Sequence, residues 1–408
     1  MADRTAIAFG ERVEELRREQ HLTQKALADM VKRSVSWVSQ VERGELAISD
    51  LDMLQRLAAV LGVPSRELVE MVLGEEAATG ERQRPYVEAL RLSLAGHPAP
   101  EAGIGVVRRH GAPVELNALA LEVAHAWELV HGARYEELGP LLAQLIHHLE
   151  AVSRLGPEGV RPRSLALLAE AYQVAAAMLV KAGDAGAAWV AADRAIAAGE
   201  RCGDRCLVMA GQLRMGHTFT DAAERALALH VLRQAVVLAD QLPSDSEPGL
   251  VSLTGACALL LSVLEARAAN AKEARRHLGV AEHLARRLGE DRNDYGTEFG
   301  PTNVLLHRVA VAVELGNAAD ALALTTKIDP APLSSERRAR YLVDVARAHA
   351  QRRDPERAVA VLEQAEATAP VELRELRVVR ELLGDLEHLA RRRQIAGLRP
   401  LRRRLSRN

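Results

Sequence analysis

The stretch Thr23-Gln24-Lys25-Ala26-Leu27-Ala28, followed after five residues by Ser34-Val35-Ser36-Trp37-Val38-Ser39-Gln40-Val41-Glu42-Arg43-Gly44, spells two short helices and the turn between them. Thr23 and Ser34 are N-cap residues, because a hydroxyl ahead of the first turn accepts a backbone N–H that the helix leaves unpaired. Leu27, Val31, Val38 and Val41 recur at helical spacing and predict one shared buried face. Gly44, after Arg43, ends the second helix, since glycine tolerates the left-handed backbone of a C-cap. Residues 51–64 then carry Leu54, Leu57, Ala58, Leu61 and Gly62, a further amphipathic helix with its stop. Two short helices joined by a tight turn are the unit that lays its second helix in a DNA major groove.

This stretch resembles the XRE/Cro repressor-type helix-turn-helix family. The family's Gln at the start of its second helix matches Gln24, its Ser N-cap matches Ser34, and its Glu-Arg-Gly ending matches Glu42-Arg43-Gly44. The family's Arg on the first helix, paired with that Glu, matches Arg17. Where the family usually has Gly in the turn, this chain has Lys32-Arg33. The resemblance implies a five-helix DNA-binding domain over residues 8–73.

Composition sets the class of the remainder. A chain of 408 residues holds more than one small domain and can bury a large core. Apolar residues make up 48 % but aromatics only 3 %, which favours closely packed helices over a β-sandwich. The net charge of −2 gives no global basic field, so affinity for a polyanion must come from a local face. Residues 1–10 carry no long apolar run, and no stretch approaches the ~18 apolar residues of a membrane span, so a cytoplasmic protein with no membrane partner is expected. Cys202, Cys206 and Cys257 fit a reducing compartment, and without a matching His/Cys pair they do not read as a zinc site.

Beyond residue 73 the text changes. Residues 74–112 read as a linker with one short helix, Pro85 to Leu94, and residues 113–408 as nearly continuous amphipathic helix. Turns at Ala182-Gly183-Asp184, Ala269-Asn270, Leu315-Gly316-Asn317 and Arg353-Asp354-Pro355 separate helices of similar length, with one more expected near Thr218–Thr220. That periodicity indicates an α-solenoid. The series is similar to tetratricopeptide (TPR) repeats, with Tyr172, Ala176, Leu179, Gly183, Ala188, Ala192 and Ala195 at signature positions of one unit. Leu342, Ala346, Ala358, Ala365 and Pro370 take them in another. The segments Leu168 to Val174, Ala191 to Ala197, Arg292 to Tyr295 and Phe299 to Val304 resemble full-length bacterial XRE–TPR regulators. An aromatic residue is the expectation after Tyr295, where this chain has Gly296. The fold class is therefore all-α: a helix-turn-helix domain followed by a TPR-like solenoid.

Candidate DNA contacts follow from helical phase. With Val38 and Val41 inward, Ser36 and Gln40 face outward and Val35 lies at the edge. Gln can bond adenine bidentately, Ser reaches several base edges, and Val can touch a thymine methyl. Trp37 beside them reads as packing against the preceding helix or a sugar-phosphate ridge. Thr23, Gln24 and Ser34 mark helix N-termini that favour phosphate, and Lys25, Lys32, Arg33 and Arg43 surround that face. In the solenoid, Gln173, Lys181, Arg267, Asn303, His307, Arg340, Arg347 and Gln351 are the expected inward polar residues, able to hold a peptide or small-molecule signal. No catalytic motif, metal-ligand set or cofactor loop stands in the sequence. Eight Arg and no acid from residue 391 onward read as a solvated cap. The expected protein is a homodimeric regulator on a palindromic operator in double-stranded DNA; the competing reading is a TPR scaffold with a vestigial helix-turn-helix.

Overall fold

The structure, a computed structural model, describes residues 4–31, 33–44, 46, 48, 51–63, 67–68, 71, 85–96, 115–236, 246–331, 333–390 and 394–406. Among them every regular element is helical, apart from one bridge between Arg292 and Phe299. The chain divides into two compact units, Met1–Arg84 and Pro85–Asn408.

The first unit contains α1 (Arg4–Glu19), α2 (Gln24–Met30), α3 (Val35–Glu42) and α4 (Leu51–Leu61). Phe9, Val13, Leu16, Leu27, Val31, Val38, Val41, Leu54, Leu57 and Leu61 close its core. Glu67, Leu68 and Met71 are helical and Leu68 is buried, but the bounds of the expected fifth helix lie outside the described residues, as does Lys32. Gly10 lets α1 cross α3 at backbone contact: a methyl group there would meet the carbonyls of Val41 and Glu42.

The second unit begins with α5 (Pro85–Ala95), the helix that the sequence reading assigns to a linker. Val87, Leu90 and Leu94 of α5 are buried, and Arg91 reaches Asp184 at 2.5 Å, so this helix is part of the body. Six helical hairpins follow. They are α6 (Leu116–His131) with α7 (Tyr135–Leu155), α8 (Arg161–Lys181) with α9 (Ala185–Cys202), and α10 (Arg205–Asp221) with α11 (Arg225–Val236). Next come α12 (Pro248–Arg267) with α13 (Ala271–Leu288), α14 (Pro301–Glu314) with α15 (Ala318–Thr325), and α16 (Ser335–Gln351) with α17 (Pro355–Thr368). The first helix of each hairpin packs on the first helix of the next, which makes an inner layer of α6, α8, α10, α12, α14 and α16. α8 and α12 are long and apolar enough by composition to cross a membrane, but 72 % and 83 % of their apolar windows are buried among other helices.

One turn chemistry closes all six hairpins. Ala133, Gly183, Ala223, Ala269, Gly316 and Arg353 adopt left-handed φ between 56° and 78°. The next residue's N–H then reaches back to a carbonyl of the last helical turn: Asp184 to Leu179 at 2.9 Å, Glu224 to Phe219 at 2.8 Å, Asn270 to Glu265 at 2.9 Å. Arg134, Asn317 and Asp354 repeat the bond to Leu129, Ala312 and His349. This is the Schellman ending, which pairs carbonyls that the helix itself leaves open. The turn expected near Thr218–Thr220 stands a few residues later, at Ala222-Ala223-Glu224. Both threonines belong to the last turn of α10, their hydroxyls donating to the carbonyls of Arg214 and Gly216 at 3.0 and 2.7 Å. Threonine bonded back to residue i−4 stays in a helix.

The C-terminus is not a free basic cap. α18 (Pro370–Glu375), α19 (Arg377–Ala390) and α20 (Leu398–Ser406) close the array. Leu398, Leu401 and Leu405 are buried with Ile395, while Arg404 pairs with Glu366 at 2.7 Å and Arg402 with Glu387. Arg391–Arg393 lie outside the described residues. A stripe of three leucines at helical spacing outweighs the solvation of the arginines between them.

Gly183 has open space where a Cβ would stand, and Gly186, inside α9, has only Asp184 near it at 3.8 Å. Gly183→Ala is therefore expected to lower the stability of the α8–α9 hairpin by about 1 kcal/mol through backbone strain alone. Gly186→Ala should be neutral or gain up to about 1 kcal/mol. Hydrogen exchange of this hairpin in the two variants checks both signs.

Candidate functional sites

In the first unit the sequence builds a rigid frame and leaves one face open. Thr23 and Ser34 sit in extended backbone and accept the N–H of Ala26 and of Trp37, each at 3.1 Å. The first turns of α2 and α3 are thereby fixed without a glycine between the helices: the N–H of Arg33 closes on the carbonyl of Ala28 at 2.8 Å. Beneath them lies a buried ion pair. Arg17 donates from Nε and Nη2 to the two carboxylate oxygens of Glu42 at 2.6 and 3.1 Å, and from Nη1 to the carbonyl of Leu22 at 2.8 Å. Gln24 adds its amide N–H to the same carboxylate at 2.8 Å. One network thus ties α1, the start of α2 and the end of α3. The hydrogen bond that Arg17 donates to Glu42 raises the proton affinity of its guanidinium, outweighing the desolvation that lowers it.

The network also changes the part of Gln24. Its N–H₂ is engaged inward, so its place among the expected DNA contacts reduces to its carbonyl oxygen and its hold on α2. The other expected contacts stand outward: Thr23, Lys25, Arg33, Ser34, Val35, Ser36, Gln40 and Arg43 are exposed, Val35 to 45 %. Trp37 is half-buried against the core, with the Arg33 guanidinium 5.7 Å from its ring centre. Arg43 bonds Ser39 one turn back. The exposed surface of α3 is therefore a compact polar face of Ser36 and Gln40, edged by Val35, with cations at both ends.

Residues 8–71 match the family described as a helix-turn-helix domain. The N-terminal unit is a helix-turn-helix domain. No curated protein matches the chain. Among solved structures it is similar to PlcR of Bacillus thuringiensis, in complex with the peptide PapR7 and DNA, at 15 % identity over 70 % of this chain and 96 % of that one. The TM-score is 0.24, a superposition too loose to bear on this chain's fold or ligands.

In the second unit the expected inward polar residues are placed unequally. Gln173 does not face the interior: it is fully buried between α8 and α10, its N–H₂ on the carbonyl of Leu207 at 3.3 Å and its Oε1 without a partner. Asn303 is buried at the start of α14, where its Oδ1 accepts from Arg337 at 2.7 Å. His307 sits against the Asn303 carbonyl at 2.9 Å, and burial, with Arg337 nearby, lowers its pKa to about 4. Lys181 and Arg340 converge on Glu336 and Glu372; Arg340 lies 2.8 Å from Glu372, whose other oxygen accepts from Tyr135 at 2.7 Å. Burial pushes both carboxyl groups up, but the cations outweigh it and hold them below the ordinary range. Arg267 and Arg347 share Glu314 at 3.2 and 3.1 Å, and Gln351 donates to the carbonyl of Val313 at 2.9 Å. Most of these cations are thus neutralised by carboxylates far away in sequence.

The loop after α13 fills much of the interior. Arg214 on α10 donates to the carbonyls of Tyr295 and Gly296 at 2.9 and 3.1 Å, and Arg337 on α16 to that of Thr297 at 2.7 Å and to Glu298 at 2.9 Å. Gly296 is the residue at which an aromatic was expected. It cannot be one: φ is +65°, and a Cβ would stand 2.8 Å from the Trp127 ring. Beside the loop a cleft of about 320 Å³ is lined by Glu170, Glu247, Pro248, Gly249, Arg292, Asp294 and Tyr295. Burial raises the Glu170 carboxyl to about 7. Among the described residues no group of His, Cys, Asp and Glu is placed to hold a metal ion. Glu298, Glu314, Glu336, Glu372, Trp127, Arg214, His217 and Arg337 are missing from the sequence-derived set. Arg214 had one local signal, a lone charge within the otherwise uncharged stretch Cys206 to Thr220.

The Arg17–Glu42 pair is buried on both sides, with side chains 10 % and 4 % accessible. Arg17→Met alone is expected to cost about 3–5 kcal/mol by stranding the carboxylate, whereas adding Glu42→Leu should recover most of the loss. Hydrogen exchange across α1–α3 in the full-length chain measures both; equal losses in the single and double variants would contradict the pair's role.

Proposed function

We propose that this chain is a sequence-specific DNA-binding transcriptional regulator of the XRE type, acting in the cytoplasm as a homodimer on a roughly palindromic operator. Its TPR-like body takes a peptide or small-molecule signal. The observation that carries the DNA reading is the outward face of α3. Val38 and Val41 bury the opposite side, the Ser34 cap and the Glu42 network hold both ends, and Ser36 and Gln40 are left exposed with no structural task of their own. A helix anchored so thoroughly on one side and polar on the other is suited to a major groove. Gln40 offers the donor–acceptor pair that matches adenine, and Ser36 reaches a neighbouring base edge. Lys25, Arg33 and Arg43 would neutralise phosphates on either side, giving the affinity that a domain without net positive charge otherwise lacks.

A dimer is the form in which such a reader would act. One helix-turn-helix reads a half-site, and two recognition helices one DNA turn apart multiply specificity. Sedimentation of the full-length chain at micromolar concentration should give twice the mass of one chain; a monomer would remove the palindromic operator from the proposal. On DNA, Gln40→Ala is expected to lose about 1–3 kcal/mol of discrimination at one or two base pairs. Lys25→Ala should instead weaken binding to all duplexes alike and reduce the salt slope by about one. Fluorescence anisotropy on matched and mismatched duplexes separates the two effects. Equal affinity for all duplexes at low salt would replace this reading with that of a protein scaffold.

A further inference from the structure

Arg214 differs from the other interior cations of the body. It is 9 % exposed, and among the described residues it touches no carboxylate. Its Nη2 serves two backbone carbonyls, its guanidinium lies 4.9 Å from the Trp127 ring centre, and its Nε has no acceptor among the described residues. Burial lowers its pKa to about 10. By contrast Lys181 and Arg340 share Glu336 and Glu372, Arg337 holds Glu298, and Arg267 and Arg347 hold Glu314. A guanidinium removed from water without an anion is costly, and carbonyl dipoles with an aromatic face compensate it only in part.

Next to it stands a second side chain without a protein partner among the described residues. His217 follows Arg214 by three residues on α10, so the two side chains share one face of the helix. His217 is part-buried and makes no hydrogen bond among the described residues. Burial, followed by Arg214, Arg340 and Arg337, keeps it neutral well below the ordinary histidine range. The positive surroundings thus come from two elements, α10 and α16, with Glu336 the counter-charge and already shared between Lys181 and Arg340. Arg340 keeps 46 % of its side chain accessible although it reaches from α16 to α18. Water therefore has access to this charged surface.

We propose that Arg214 and His217 on α10 form a binding site for a small oxyanion, the carboxylate or phosphate group of a soluble metabolite. The oxyanion would accept from the open donor of Arg214 and from the imidazole N–H of His217. Trp127, in contact with the Arg214 guanidinium, reports the event. Because Arg214 also holds the carbonyls of Tyr295 and Gly296, an anion there competes with or tightens the hold on the interior loop. The site deepens the reading that the body takes a signal and rests on that reading only there. It is tested without DNA, so its failure leaves the helix-turn-helix reading untouched.

The test uses the full-length chain with Trp37→Phe and Trp189→Phe, which leaves Trp127 as the single indole. Its emission is followed while inorganic phosphate and, separately, succinate are added at constant ionic strength held with sodium chloride. A saturable change with phosphate alone identifies a phosphate site, and one with succinate alone a carboxylate site. In either case His217→Gln and the charge-conserving Arg214→Lys should each weaken the response at least tenfold while the circular dichroism of the chain is unchanged. Either of two results overturns the proposal: a linear or absent response to both anions, or a saturable response that His217→Gln and Arg214→Lys leave intact. Should Arg214→Lys disturb the fold, His217→Gln, whose side chain supports no other residue, decides alone.

Discussion

Close approach of helix backbones is the constraint on which both units depend. With aromatics at only 3 % of the chain, large side chains cannot space the helices, and the core must be filled by bringing backbones together. Glycine stands at several of the close approaches. Gly10 faces the carbonyls at the end of α3, Gly139 the backbone of Tyr86, Gly211 lies 2.7 Å from Ile196 by the position its Cβ would take, and Gly255 accepts the ring of Phe299. Fully buried alanines, among them Ala176, Ala188, Ala192, Ala195, Ala346, Ala358 and Ala365, do the same along the hairpins. The few aromatic rings then become anchors: Tyr172 in the body's first core, Phe299 under α12, and Trp127 over Gly296 and Arg214.

Such packing leaves the second unit with an interior lined by the first helices of its hairpins, and electrostatics occupies it. Glu372 on α18 draws Tyr135, Lys181 and Arg340 together from three other helices, and Glu314 draws Arg267 and Arg347. Buried pairs of this kind contribute modest net stability but strongly penalise the loss of one partner, so they fix register between helices far apart in sequence. The loop between α13 and α14 adds a second tie, its carbonyls held by Arg214 and Arg337. A ligand that reaches this interior therefore meets a surface already organised by charge, and its effect on the body is limited to its differential affinity for the arrangements available.

The legible parts of the chain were those written in local spacing. Caps at Thr23 and Ser34, the buried side of α3, and the left-handed turns at Gly183 and Gly316 follow from neighbours a few residues away, and the structure has them where the sequence puts them. The turns at Ala133 and Ala223 were hidden because alanine does not announce a left-handed residue, and Thr218 and Thr220 look like turn formers until their hydroxyls bond back into the helix. The expected signal-binding side chains rest on the alignment of the repeats, which cannot reveal that Glu314, Glu336 and Glu372 neutralise four of them. Gln173 departs for the same reason: the repeat alignment puts it inward, whereas the crossing of α8 and α10 buries it between helices. The residues of α3 proposed to meet DNA are legible as an exposed face, since burial of Val38 and Val41 leaves Ser36 and Gln40 nowhere else to point.

DNA is proposed to meet the chain on that face. Hydrogen exchange of the full-length protein, with and without a duplex selected from a random library for binding it, tests this most directly. Slowed exchange at the N-terminal turn of α3 and at the start of α2, with the hairpins from α6 to α17 unchanged or altered only at their contact with a second copy, is the predicted result. Protection confined to the helical body, with α2 and α3 exchanging as in the free protein, would contradict it.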